Sequence, residues 1–390
     1  MKLVVLVSRV PYPLEKGDKL RAYHQVRELS KHHEVMLCCL SAEEVHPEAR
    51  AELAKICSRL EIVPLQRWRI LFRMAFSLVS TRPYQVHYFL QKPALAKVKS
   101  LIEDFAPDHI YCQLVRCSEY VKHLYTIPKT LDYMDAMNKG MQRLATRSPW
   151  YSAPLWRNES RRLLKYENLI FDYFDHHTII SEQDKQLIYH PRRSRIEVIP
   201  NGVDTAFFEP KGSDGEVYDV VFTGNMSYPP NIDTAVFLAT EVMPEVWKQH
   251  PDARLQIAGA SPHAKVKALA SERVVVTGWL DDIRDAYRNA KVFAAPMRIG
   301  TGLQNKLLEA MSMQVPCVSS KLANNALGAR DGREIVIGHT AREVAAHICT
   351  LLEDEQKRKE LALNGRAFVL ENYSWEASVK QLSELFMTKN

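Results

Sequence analysis

Short apolar runs alternate with amphipathic segments along the whole of this 390-residue chain. The runs at 3–7, 35–40, 61–65, 109–112, 130–133 and 177–180 are too short for helices and read as buried strands. Between them the apolar residues fall at helical spacing, as over 19–31 and in the long basic stretch 155–174. The second half repeats the pattern. Strands are expected there at 195–199, 220–223, 255–258, 274–277, 292–295, 317–319 and 335–337, and helices at 232–249, 282–289, 303–313 and 342–352. Such alternation requires parallel sheets covered by helices on both faces. The chain is therefore expected to be α/β, with two doubly wound Rossmann-like domains of about six strands each. Two such domains facing one another leave a central cleft at the carboxyl ends of both sheets, where these folds bind ligands.

Glycine and charge divide the chain at the same place. Of 14 glycines only Gly17 and Gly140 precede residue 200, so tight backbone turns are concentrated in the second half. Residues 1–200 hold 31 Lys and Arg against 22 Asp and Glu, a net +9; residues 201–390 hold 21 against 24, a net −3. The basic half is either a solvated surface or one that faces an anionic membrane or an acidic ligand. The charge is too dispersed for nucleic acid, and no zinc-finger or RNP-type motif is present. Seven cysteines without a CxxC pair fit reduced thiols, and the apolar run 2–7 is too short for a secretion signal. No stretch is long enough to span a bilayer. A cytoplasmic protein is expected, with a linker where Pro, Gly and charge cluster at 191–193 and 209–215.

The most informative segment runs from Val292 to Val318. A buried strand ends at Pro296, and a loop with Gly300, Thr301 and Gly302 leads through Leu303 and Gln304 into an amphipathic helix. Two glycines let the backbone approach an anion, and the helix start offers free N–H groups. Lys306 and Glu309 are three residues apart and share a helix face, with Arg298 just upstream. The spacing fits a phosphate end (Arg298, loop amides, Lys306) beside a carboxylate for ribose hydroxyls (Glu309). It equally fits an ordinary strand–turn–helix with a Lys–Glu surface pair.

The pattern Gly300-x-Gly302-x-x-x-Lys306-x-x-Glu309-Ala310, followed by Val315-Pro316-Cys317-Val318, resembles the donor-site signature of the GT-B glycosyltransferases of family 4, the retaining group 1 enzymes. Ile199-Pro-Asn-Gly-Val-Asp204, Phe222-Thr-Gly224-Asn225 leading to Asn231, Leu255 to Gly259, Val276-Thr-Gly278-Trp279 and Tyr373-Ser-Trp375-Glu agree with it in order and spacing. The first half matches more narrowly, in Pro11-Tyr-Pro13, in Gly17-Asp18-Lys19 and Arg21, and in Asp132 and Asp135. The first of these resembles the family's substrate loop after the first strand, while the 130–135 segment and the later 161–167 segment are similar to a subgroup found in polysaccharide and exosortase-associated clusters. The resemblance implies an acceptor domain over 1–188, joined by a C-terminal helix at 372–390, and a nucleotide-sugar domain over 189–371. It implies Arg298 and Lys306 as catalytic cations. It also implies donor contacts from Gly17, Gly224, Asn225, Gly278, Trp279, the 300–304 segment and Glu309, and acceptor contacts from Asp18, Arg21, Asp132 and Asp135. The acceptor would be a saccharide or a lipid-linked saccharide.

Three positions depart from the family pattern: Thr301 stands where the first of two glutamates is usual, and Asn225 and Asn231 where Arg and Lys are usual. Arg298 and Lys306 are expected to compensate as cationic donors near the diphosphate. With no DxD motif, metal-independent transfer is expected, and no cofactor. Asp132 and Asp135 also fit cap or Asx-turn duty, and His176-His177 reads as structural. The aromatic, apolar and basic segment 68–79 is either a core helix or one that lies on an anionic membrane or holds a lipid-linked acceptor. A nucleotide-sugar epimerase and a non-catalytic sugar-nucleotide-binding subunit, the latter prompted by Thr301 and Asn225, are the other function classes open to this sequence.

Overall fold

The computed structural model describes residues 1–14, 17–210, 212, 215–299 and 303–388. Gly300, Thr301 and Gly302 lie outside the described residues. The chain forms two compact units, one of Met1–Asn201 with Ser378–Asn390 and one of Gly202–Ala377. The sequence expectation drew these limits at 188/189 and 371/372; the structure sets them at 201/202 and 377/378.

The first unit is built on a seven-stranded sheet in the order β3-β2-β1-β4-β5-β6-β7. Its strands are β1 (Lys2–Val7), β2 (Glu34–Ser41), β3 (Arg59–Pro64), β4 (His109–Gln113), β5 (Lys129–Asp132), β6 (His176–Ile179) and β7 (Ile196–Val198), and every pairing is parallel. Side chains alternate across the sheet, so Val4 and Leu6 enter one apolar cluster while Leu3, Val5 and Val7 enter the other. Both faces are therefore buried, which is why the strands lack polar alternation. Val379, Leu382 and Phe386 of the last helix, Trp375–Met387, complete the second cluster. The run at 195–199 was expected in the second domain. It belongs here, because Ile196 and Val198 pair with His177 and Ile179 and close the sheet edge.

The second unit carries a six-stranded sheet, β10-β9-β8-β11-β12-β13, formed by β8 (Tyr218–Thr223), β9 (Leu255–Ala258), β10 (Val274–Gly278), β11 (Ala290–Ala295), β12 (Cys317–Ser319) and β13 (Val336–Ile337). These strands are also all parallel and share one apolar core with their helices. The helix expected over 232–249 is interrupted. Pro244 has no N–H to donate, and the turn before it widens so that Met243 N–H reaches Leu238 C=O. In both units the strand order reverses beside the first strand, between β1 and β4 and between β8 and β11. The crevice at the carboxyl end of such a reversal is where open α/β sheets take ligands.

Candidate functional site

In the second unit the reversal is occupied by the residues the motif singled out. The loop after β8 turns at Gly224, where φ is +152° and a Cβ would come 2.7 Å from Asn231 Nδ2. Gly259, at the end of β9, has φ +135°, and a Cβ there would meet Gly224 C=O at 1.9 Å. Only glycine permits this approach of two strand ends. Asn231, buried on the helix Pro229–Phe237, donates from Nδ2 to Asn225 C=O at 2.9 Å, and its Oδ1 accepts from Lys306 Nζ. The Lys306 ammonium also lies 5.0 Å from the centroid of the buried Phe222 ring. Lys306 is thus fixed at the start of the helix Asn305–Ser312, half-buried, with neutral partners on these sides. Burial lowers its pKa to about 8, with Glu309 working in the opposite direction.

Glu309, one turn along that helix, accepts from Tyr287 O–H at 2.6 Å. The Tyr287 proton is committed to that bond, so Thr223 Oγ1, 2.8 Å from Tyr287 Oη, is the donor of the next link. Burial pushes the Glu309 carboxyl above its usual range, while Tyr287 and Lys306 oppose the shift. Among the described residues only one of the Glu309 carboxylate oxygens has a hydrogen-bond partner. Sequence reasoning assigned Tyr287 no role at the site. Its signal was a single hydroxyl in a short helix otherwise anchored by Ala286 and Ile283 in the core.

Arg298 is placed differently from the expectation that it joins Lys306 at one phosphate end. Its Nε and Nη2 donate to Asp233 at 3.1 and 2.9 Å, Nη1 donates to Glu241 at 3.2 Å, and the guanidinium stacks 4.3 Å from the Phe237 centroid. Asn231 and Asp233 are two positions apart on one helix, roughly 200° around its axis, so Lys306 and Arg298 dock on different sides of it. Asn225 is exposed, and its Oδ1 accepts from Ser227 N–H and Oγ–H, an Asx turn that shapes the loop. Gly278, at φ +71°, and the exposed Trp279 end β10, about 10 Å of sheet away from β8. Leu303 packs on the core and Gln304 caps the helix with its backbone.

The acceptor residues named from sequence separate into two sets. Arg21 and Asp132 are fully buried and paired, Nε to Oδ2 at 2.8 Å and Nη2 to Oδ1 at 3.2 Å. Arg21 Nη1 goes to Asn201 Oδ1 at 2.8 Å, and Thr178 Oγ1 donates to Asp132 at 2.9 Å. Burial works against the Arg21 charge, but Asp132 and Tyr111 outweigh it and raise the pKa. With no exposed surface, neither side chain can touch an acceptor; the pair ties the helix Gly17–Leu29 to the end of β5. Gly17 only opens that helix, with open space where a Cβ would be.

Asp18, by contrast, lies at the reversal beside β1 and β4. Its Oδ2 accepts from Arg9 Nη1 at 3.2 Å and Arg116 Nη2 at 3.1 Å. Arg116 follows Leu114, which holds φ +71° at the end of β4, a strained turn for a side-chain-bearing residue. Sequence reasoning missed Arg9 and Arg116, which only the strand order brings together. A cavity of about 430 Å³ opens beside them. Asp135, after a second such residue at Met134 (φ +61°), keeps an exposed edge. Its carboxyl is pushed up to about 6 by loss of solvation, with Asp184 adding to the shift. Among the described residues no group of three or more His, Cys, Asp or Glu is arranged to hold a metal ion, and no helix is long and apolar enough to cross a membrane.

Residues 218–354 match the family described as glycosyl transferases group 1. Along its whole length the chain is 26% identical to an uncharacterized 44.6 kDa protein in the cps region of Klebsiella pneumoniae, over 405 aligned positions and 99% of each chain. It is 28% identical over 159 residues to a GDP-mannose-dependent α-(1-6)-phosphatidylinositol monomannoside mannosyltransferase of Mycolicibacterium smegmatis, covering 37% of this chain and 42% of that one. Its fold is similar to that of Anabaena Alr3699/HepE in complex with UDP, with TM-score 0.68, 16% identity and 99% of both chains covered. Sucrose-phosphate synthase from Thermosynechococcus elongatus gives 0.64 at 15% identity, covering 99% of this chain and 98% of that one. These structural likenesses establish the architecture as GT-B, two Rossmann-like domains.

Proposed function

We propose that this GT-B glycosyltransferase, whose residues 218–354 form a group 1 glycosyltransferase domain, moves a sugar from a nucleotide-diphosphate donor to a saccharide or lipid-linked acceptor in cell-surface polysaccharide synthesis. The observation that carries this reading is Lys306, a cation half-buried among neutral partners where the second sheet reverses. Departure of a nucleoside diphosphate concentrates negative charge on the β-phosphate, and a preorganised cation with free helix N–H groups stabilises that charge as it develops. Glu309, held by Tyr287, accepts ribose hydroxyls. The charge on Lys306 makes the step independent of a metal ion, and retention at the anomeric carbon follows the family that the motif resembles. UDP bound to Alr3699/HepE supports a donor of this class.

This assignment has a consequence for pH. Because Lys306 loses its proton near pH 8, the affinity for a nucleoside diphosphate should fall as pH rises through 8, by about tenfold per unit once the free lysine is neutral. The bound diphosphate draws the proton back, so binding above that point takes up one proton. Calorimetry with UDP and GDP in buffers of different ionisation enthalpy checks both signs. An affinity flat from pH 6 to about 10 contradicts the role of Lys306.

The protein works at the cytoplasmic face of a membrane that it touches with the helix Arg67–Ser77. Trp68, Leu71, Phe72, Phe76 and, beyond the helix, Val79 recur at helical spacing and are all exposed, whereas the helix buries only Ile70 and Ser77. The apolar stripe points outward, unlike that of a core helix, and Arg67 and Arg69 flank it. In flotation with anionic vesicles at low salt the protein should rise with the lipid, and Phe72→Glu should lower the bound fraction about tenfold. Equal flotation of both proteins, or none by the native chain, rules this contact out.

A further inference from the structure

The cavity of about 430 Å³ in the first unit has two chemically distinct ends. One is apolar, walled by Val10, Leu40, Met74, Phe89, Met141 and Trp156, within the size range of sites for small organic ligands. The other is cationic. Arg9 and Arg116 share one oxygen of Asp18, so the three groups carry a net positive charge, and Lys19 lies at the same end. Arg116 is 9% exposed, and its Nε is buried with no hydrogen-bond partner among the described residues. A buried guanidinium N–H without an acceptor is costly, and a phosphate oxygen is the acceptor its fork geometry suits.

The acidic groups that line the cavity do not cancel this charge. Glu159 is taken by the N–H groups of Tyr84 and Gln85 at 2.7 and 3.1 Å, and Glu43 and Glu44 are exposed on the rim. The cavity also lies where β1 and β4 part, the ligand crevice of this sheet. A free sugar would leave most of the wall without polar partners. Met74 belongs to the helix Arg67–Ser77, so an apolar chain leaving the cavity past it adjoins the helix that carries the outward stripe.

We propose that this cavity seats the phosphate ester of a long-chain apolar alcohol, with the phosphate on Arg9 and Arg116 and the first part of the hydrocarbon against Val10, Phe89 and Met141. Asp18 is a positioning residue that holds the two guanidiniums side by side. The inference rests on the transferase reading in one respect: the ester is the anchor of the acceptor.

Titration calorimetry on the full-length chain tests it, with farnesyl phosphate, farnesol and inorganic phosphate as probes and UDP and GDP in parallel. Farnesyl phosphate should bind at least about tenfold tighter than either farnesol or phosphate, since it alone satisfies both ends. Arg116→Gln should remove that advantage. Because Arg116 is buried, Arg9→Gln, at a half-exposed position, serves as the second variant, and Leu144→Asp on the apolar rim should weaken farnesyl phosphate without changing phosphate. Farnesol binding as tightly as its phosphate, or farnesyl phosphate indifferent to Arg9→Gln and Leu144→Asp, overturns the proposal. Nucleotide binding without farnesyl phosphate binding overturns this site alone. Farnesyl phosphate binding without nucleotide binding supports this site and overturns the donor reading.

Discussion

Lys306→Ala should lower the rate of sugar transfer by roughly 10²–10³-fold while leaving the protein folded. The size follows from what the residue does at the moment of bond breaking. A cation fixed beside the departing diphosphate needs no reorganisation, and removing one such group costs about 3–4 kcal/mol of transition-state stabilisation. The fold should survive because Lys306 contributes little to packing: among the described residues its hydrogen-bond partners are Asn231 and, at 4.0 Å, Met297 Sδ. Lys306→Arg should recover part of the rate, since the charge returns but the guanidinium fork does not fit one Asn oxygen above the Phe222 ring. Transfer assays with circular dichroism on each variant decide the matter. A Lys306→Ala protein within about twofold of the native rate would remove the residue from the mechanism.

Asp132→Asn should be the most damaging substitution for stability, at about 3–5 kcal/mol in the first unit. The change keeps the shape and deletes the charge that holds Arg21. The guanidinium is then buried among Asn201, Tyr111 and a neutral amide, with no counter-charge beside it. Breaking one partner of a buried pair is far worse than replacing both, because the remaining charge stays unsolvated. The double variant Arg21→Met with Asp132→Leu should therefore be less destabilised than Asp132→Asn alone. For a unit of this size the single substitution lowers the melting temperature of its transition by about 6–20 °C. Calorimetry resolves the two units' transitions and shows which one moves. A shift of less than about 2 °C would mean that the pair is solvated in solution.

The central strands β1, β2, β4, β8, β9 and β11 were legible because they are buried and read as mainly apolar runs. What such a run does not state is which sheet it joins. Ile196–Val198 reads like the strands that follow it, yet its partner is β6. Helix interruption at Pro244 was local and readable in principle, since a proline more than a turn inside both ends of an expected helix rarely leaves it regular. Lys306 and Glu309 were visible as a spacing. Their partners were not, for Asn231 is 75 positions away and Tyr287 is 22.

The charged residues show where sequence stops. Arg21 with Asp132 and Arg298 with Asp233 are separated by 111 and 65 positions, and each pair looks like free charge until the chain is folded. Whether a charge faces a ligand or another side chain is decided by tertiary burial, which residue type and spacing do not encode. Arg9 and Arg116 were overlooked for the same reason: neither lies in a motif, and only the reversal of strand order sets them on one carboxylate.

Hydrogen exchange of the full-length chain, with and without saturating UDP or GDP, tests the central claim most directly. The account predicts slowed exchange at the loop amides of Asn225 and Met226 and at the helix start from Leu303 to Leu307, lost again in Lys306→Ala. Nucleotide binding that protects neither segment, or protects both equally in the variant, would contradict a donor site built on Lys306.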